Sequence, residues 1–179
     1  GIFARLSGAI AIMGVNVVDA RTYTTRDGLA TAVFWVQRSD NVPFGKEIVQ
    51  RIVKSIKSAL LGKVVPKKVL DAKGKFSRAE REFLVPTTIT FDNVGSDIYT
   101  IIEVDTRDRI GLIHDLANML YKNNISIFTA IIATYGEQAV DTFYVKDLFG
   151  LKIHSKSTQD KIAISLRNSI EEGAEKAME

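Results

Sequence analysis

Asp105-Thr106-Arg107-Asp108-Arg109-Ile110-Gly111-Leu112 separates an apolar strand pattern from a helical one, and its reading decides the fold. Upstream, Ile98, Ile102 and Val104 fall on one face of an extended segment, with Tyr99 and Ile101 on the other, so residues 98–104 read as a buried strand. Downstream, Leu112, Ile113, Leu116, Ala117 and Leu120 form the stripe of a helix packed on one side. The octapeptide is therefore a polar turn at a strand-to-helix corner. Such a corner leaves the first backbone N–H groups of the helix without intrahelical partners, and the helix dipole favours negative charge there. A small carboxylate fits this place. Gly111, lacking a Cβ, permits close approach, and Asp108 can cap the helix or accept hydrogen bonds from an ammonium group. The plainer reading, Asp108 as N-cap and Gly111 as a steric requirement, comes first until the rest of the chain is considered.

The same passage opens the chain in shortened form. Gly1-Ile2-Phe3-Ala4-Arg5-Leu6 matches Gly111-Leu112-Ile113-His114-Asp115-Leu116, and the register holds through Ala20 with Ala130 and Thr24 with Thr134. After a turn one residue shorter in the second copy, Phe34-Trp35-Val36 matches Phe143-Tyr144-Val145. One unit thus occurs twice. Because Gly1 matches Gly111, the first unit starts inside its own corner, and the chain is expected to be a fragment of something longer.

Each unit reads as helix, strand, hairpin and returning strand. In the first, Ile2, Phe3, Leu6, Ile10 and Met13 mark a helix closed by Gly14, and residues 15–25 and 30–37 pair across Arg26-Asp27-Gly28. A second helix carries Ile48, Val49, Ile52, Val53, Ile56 and Leu60 on one face and ends at Gly62. Residues 63–86 are basic, poorly periodic and punctuated by Pro66, Gly74 and Pro86, which predicts a mostly irregular excursion with at most a helical turn over 77–83. A strand over 87–91 then closes the first unit. The second repeats the order with a helix to Lys122, strands over 125–135 and 138–146, and a helix along Ile162, Leu166 and Ile170 capped by Thr158. The fold class is α+β: two tandem ferredoxin-like βαββαβ units, residues 1–93 and 97–179, the first lacking its opening strand.

With 46% hydrophobic residues the 179-residue chain can fill one domain or two small ones. The absence of cysteine excludes disulfides and thiol catalysis and fits a reducing compartment. No apolar run reaches membrane-span length and no signal peptide is evident, so the chain reads as a cytoplasmic protein without membrane contact. The net charge of +3 does not by itself call for nucleic acid. His114 beside Asp115 points in a different direction on the helix and His154 is isolated, so neither has the converging ligands of a metal site.

Asp108-Arg109-Ile110-Gly111-Leu112, Ala133-Thr134-Tyr135-Gly136-Glu137, Asp141-Thr142-Phe143-Tyr144-Val145 and Asp147-Leu148-Phe149-Gly150, in this order and spacing, resemble the ACT domain. More narrowly, they resemble the carboxy-terminal tandem ACT region of the bifunctional uridylyltransferase and uridylyl-removing enzymes that act on PII nitrogen-signalling proteins. Asp19-Ala20-Arg21, Thr24-Thr25-Arg26-Asp27-Gly28 and Phe34-Trp35-Val36-Gln37 resemble that family's first ACT domain. Ile110 stands where the family usually has proline, which makes the corner less rigid.

The resemblance implies a glutamine-sensing regulatory region with no catalytic site and no cofactor of its own. It implies partners in the longer protein's catalytic domains, which would require Mg²⁺, and in PII through them, with dimerisation through the ACT units possible in this family. By resemblance the ligand would be held at Asp108, Arg109, Ile110, Gly111 and Leu112, with Asn16, Asp19 and Arg21, or their counterparts Ser126, Thr129 and Ile131, as further candidates. Two rivals accompany it. One is an ACT pair that only dimerises or props the catalytic domains. The other is an RNA-binding ferredoxin-like module, against which Phe34-Trp35 and Phe143-Tyr144 lie outside any Gly-containing recognition motif and alternate in facing.

Overall fold

Two copies of one helix-and-hairpin unit meet edge to edge in the computed structural model, which describes residues 1–24, 30–38, 42–73 and 85–178. The first contributes α1 (Ile2–Ile12), β1 (Val15–Thr24), β2 (Ala30–Arg38), α2 (Lys46–Leu60) and α3 (Pro66–Lys73). The second contributes β3 (Thr88–Asp92), β4 (Thr100–Arg107), α4 (Leu112–Lys122), β5 (Ser126–Tyr135), β6 (Gln138–Lys146) and α5 (Lys156–Met178). Gly14 and Gly62, at φ +68° and +70°, end α1 and α2 in the left-handed region that glycine adopts without steric cost.

All described strands join one antiparallel sheet in the order β2-β1-β5-β6-β4-β3. The seam between units is the short β1–β5 pairing, where Asp19 faces Ile131, Ala20 faces Ala130 and Arg21 faces Thr129. Ala20 and Ala130 are each other's counterparts in the repeat, so a local pseudo-two-fold axis passes between them. Their small side chains, both fully buried, let α1 and α4 cross above the seam.

Inward positions follow the two-residue period of strands. Thr100, Ile102, Val104 and Thr106 on β4, and Ala139, Asp141, Phe143 and Val145 on β6, lie under the helices. The two buried threonine hydroxyls are satisfied, Thr106 by Thr87 at 2.7 Å and Thr100 by donation to Asn93 Oδ1 at 2.7 Å.

Several expectations are corrected. The opening strand of the second unit is β4 at Thr100–Arg107, so it runs through Asp105-Thr106-Arg107 and leaves a corner of only Asp108 to Gly111. Ile98 is outside it, at 57% exposure, its N–H donating to Ser96 Oγ. The strand expected to close the first unit pairs instead with β4, and takes the edge position of a fourth ferredoxin-like strand in the second. No closing strand is needed from the end of the chain, where α5 continues to Met178. The basic stretch 63–86 contains a real helix, α3, begun by Pro66, whose missing N–H is one that a helix start leaves unused anyway. Helix α5 begins before Thr158, and Ser155 Oγ accepts the Thr158 N–H at 3.3 Å. The turn at 26–28 and the helical turn at 77–83 lie outside the described residues.

Helix α3 packs on α1 where Gly8 removes the obstacle: a Cβ there would meet Pro66 Cβ at 2.5 Å and His114 Nδ1 at 2.6 Å. Gly8→Val therefore prises α1 from α3 and α4 and should cost about 1–3 kcal/mol, as overpacking typically does. The check is a thermal melt, and an unchanged midpoint would mean that these helices do not close on Gly8.

Candidate functional site

A cleft of about 420 Å³ opens where the second unit's corner faces the first unit. Its floor comes from β5 and β6, its roof from the start of α4, and its far wall from Ser7, Ala11 and Gly14 at the end of α1 with Asn16 on β1. The volume lies in the range of small-molecule pockets. Asp108, Glu137 and Asp141 are all in its lining, Asp108 near enough to feel the charges of the other acids.

Gly111 adopts φ +85° and is the N-cap of α4, which no side chain caps. Asp108 therefore does not serve as the helix cap. Its N–H donates to the Glu137 carbonyl at 2.9 Å, tying the corner to the β5–β6 turn. Its carboxyl sits above the usual range, pushed up by burial and by Glu137, against hydrogen bonds from the Arg109 N–H and the Thr134 hydroxyl. Leu112 N–H donates to the Arg109 carbonyl at 3.1 Å, and the first helical bond runs from Asp115 N–H to the Gly111 carbonyl. Ile113 follows in this first turn and lines the cleft.

Asp141 is the unusual group. It is 1% exposed, on the helix-facing side of β6 between Val104 and Ile132, and neither carboxyl oxygen has a hydrogen-bond partner in the protein. Burial, with a smaller contribution from Asp108, raises its pKa to about 8. A buried carboxyl without a partner is costly and stays protonated unless a cation reaches it.

Arg109 lines the cleft, but its guanidinium turns to Asp115 at 2.6 Å, both side chains nearly buried, and lies against Gly173 of α5. Lys67 of α3 reaches the same carboxylate at 3.4 Å. His114 Nδ1 is 2.6 Å from the Ala4 carbonyl, so the His114-Asp115 pair joins packing and ion-pair contacts around the corner. Among the described residues no three or more His, Asp or Glu converge to hold a metal.

The family model for the ACR family N-terminal ACT domain matches residues 96–173. The match falls on the second unit, whose strands and helices have the α+β arrangement of such a domain. It is 56% identical over 177 residues to a bifunctional uridylyltransferase/uridylyl-removing enzyme of Cereibacter sphaeroides, covering 99% of this chain and 19% of the relative. It is 54% identical over 177 residues to the enzyme of the same name from Ruegeria pomeroyi, covering 99% and 20%. With that of Gluconobacter oxydans it shares 41% over 156 residues, covering 86% and 16%. The chain thus spans about a fifth of the length of these relatives. No solved structure matches.

Within the two units, the sequence candidates separate. Asp108, Arg109, Ile110, Gly111, Leu112 and Asn16 come together at the cleft. Asp19 and Arg21 pair with each other at 3.7 Å outside it, Arg21 lying over the Trp35 ring. Ser126 and Thr129 do not line it either. Of the paired aromatics, Phe143 is fully buried and Phe34 stacks on Phe3 at 5.4 Å, so neither offers a base-stacking platform. Asp141 and Glu137, by contrast, received no role from sequence. The available signal was an aspartate at a core-facing position of an alternating strand, between Ala139 and Phe143. No helix among the described residues is long and apolar enough to cross a membrane.

Proposed function

We propose that the cleft binds free glutamine and that its occupancy regulates uridylyl transfer and removal by the catalytic domains of a longer cytoplasmic enzyme acting on PII. The observation that carries this reading is one cleft, lined by both units, whose walls include three carboxyl groups and the uncapped N-terminus of α4. That is the complement of a zwitterion: the α-carboxylate lies toward Gly111 and Ile113 at the positive end of α4, and the α-ammonium toward the acidic group of Asp108, Glu137 and Asp141. Asn16 and Ser7 on the far wall supply neutral polar groups suited to a side-chain amide. Magnesium-dependent chemistry belongs to the catalytic domains in this reading.

Because the ligand touches both units, it binds best in one arrangement of them, and only such a difference in affinity can regulate. Calorimetry with glutamine and glutamate is the test. Glutamine should bind at one site per chain and raise the melting midpoint. Glutamate brings an extra negative charge into a cleft that already holds Asp108 and Glu137, with no cation to receive it among the described lining residues except the committed Arg109, and should bind at least tenfold more weakly. Absence of heat and of any midpoint shift with both would overturn the proposal and leave a structural ACT pair.

A further inference from the structure

Building on the amino-acid reading of the cleft, we propose that Asp141 is the ammonium-binding residue, so that the pocket selects ligands carrying a free amine and gives up a proton when it binds them. Three observations point there together. The carboxyl is 1% exposed and lacks any hydrogen-bond partner in the protein, yet it borders the cleft. It lies in the same cleft as the N-terminus of α4, which would take the other end of a zwitterion. The fold itself does not require an acid: the repeat counterpart of Asp141 is Ala32 in β2.

Among the described residues, the groups lining the cleft with Asp141 contain no cation already committed to it. Val104 and Ile132 flank it across β4 and β5. Asp108 and Glu137 are acidic, Ser7 and Asn16 on the first unit are neutral, Arg109 is turned to Asp115, and His114 is held at the Ala4 carbonyl. Burial keeps the carboxyl protonated at neutral pH, so an arriving ammonium displaces that proton to solvent and leaves a buried ion pair. The position also makes the two units unequal. A cleft in the first unit built by the same symmetry would present Ala32 instead.

The test is calorimetry with glutamine at pH 6, 7 and 8, in buffers of different ionisation heat, on the wild-type chain and on Asp141→Asn and Asp141→Ala. Expected for the wild type are release of close to one proton per glutamine at pH 6 and 7, falling to about half a proton at pH 8, and affinity rising up to tenfold per pH unit between pH 6 and 7 and levelling toward pH 8. Both variants should lose at least about fiftyfold in affinity and all of the proton release. N-acetylglutamine, which keeps the carboxylate and the amide but carries no ammonium, should fail to compete. Circular dichroism and melting establish that the variants fold, and either one folding suffices. Glutamine binding unchanged in a folded variant, or N-acetylglutamine binding as well as glutamine, overturns the role of Asp141 and leaves the glutamine reading standing. No binding of glutamine to the wild type overturns both.

Discussion

Asp141→Asn should remove most of a fall in folding stability that the wild type shows between pH 5 and pH 8. In the folded chain the Asp141 carboxyl keeps its proton to about pH 8, whereas in the unfolded chain it loses it near pH 4. Between these values the folded state holds the extra proton, so stability declines as pH rises. Below the window both states are protonated, and above it both are ionised. The slope approaches about 1.4 kcal/mol per pH unit, hence up to about 4 kcal/mol from pH 5 to pH 8. Asp108, also raised by burial, contributes the same sign. Subtracting the variant's curve from the wild type's isolates Asp141, since Asn matches its shape and stays neutral. Urea unfolding across the pH range measures it. Parallel curves would mean that the buried carboxyl has found a cationic partner.

The second large effect is expected at the ion pair behind the corner. Arg109→Met leaves Asp115, 7% exposed at its side chain, with Lys67 at 3.4 Å as its remaining cation among the described residues. Breaking a buried pair by removing one member costs about 3–5 kcal/mol, because the remaining charge is stranded. For a chain of this size that is roughly a 10 °C drop in melting midpoint. Gly173→Ala reaches the same contact from α5, since a Cβ there would overlap the guanidinium. The two losses should therefore be far from additive: once Arg109 is gone, the alanine has little left to displace. A double-mutant cycle by thermal melting decides it, and full additivity would place the Arg109 side chain away from Gly173.

Local periodicity carried most of the architecture. The β5–β6 hairpin is legible because inward and outward residues alternate on both sides of Gly136-Glu137, and the tandem repeat fixed the rest of the unit. Errors arose where polar residues do structural work. Thr106 reads as turn but lies in the core, its hydroxyl answered by Thr87, so the strand was ended too early. Helix α3 was hidden in a run of positive charge because its anchor is Leu70, packed against Gly111, and Lys67 is aimed at an aspartate distant in sequence. The strand β3 could be recognised as a strand, but its choice of partner is a non-local matter that periodicity does not encode. The corner is legible in the sequence, whereas Asp141 is not, because it stands inside an otherwise ordinary alternating strand.

The β1–β5 seam joins the units through three facing residue pairs, against nine between β5 and β6. A cleft whose walls belong to opposite sides of so short a seam works as a gauge of the spacing between them. By reciprocity, any strain elsewhere in a longer chain that spreads the two walls weakens the ligand by the same factor with which the ligand resists the spreading. Concentration of a small molecule and mechanical separation of two halves of a sheet thus become interchangeable quantities at this one place.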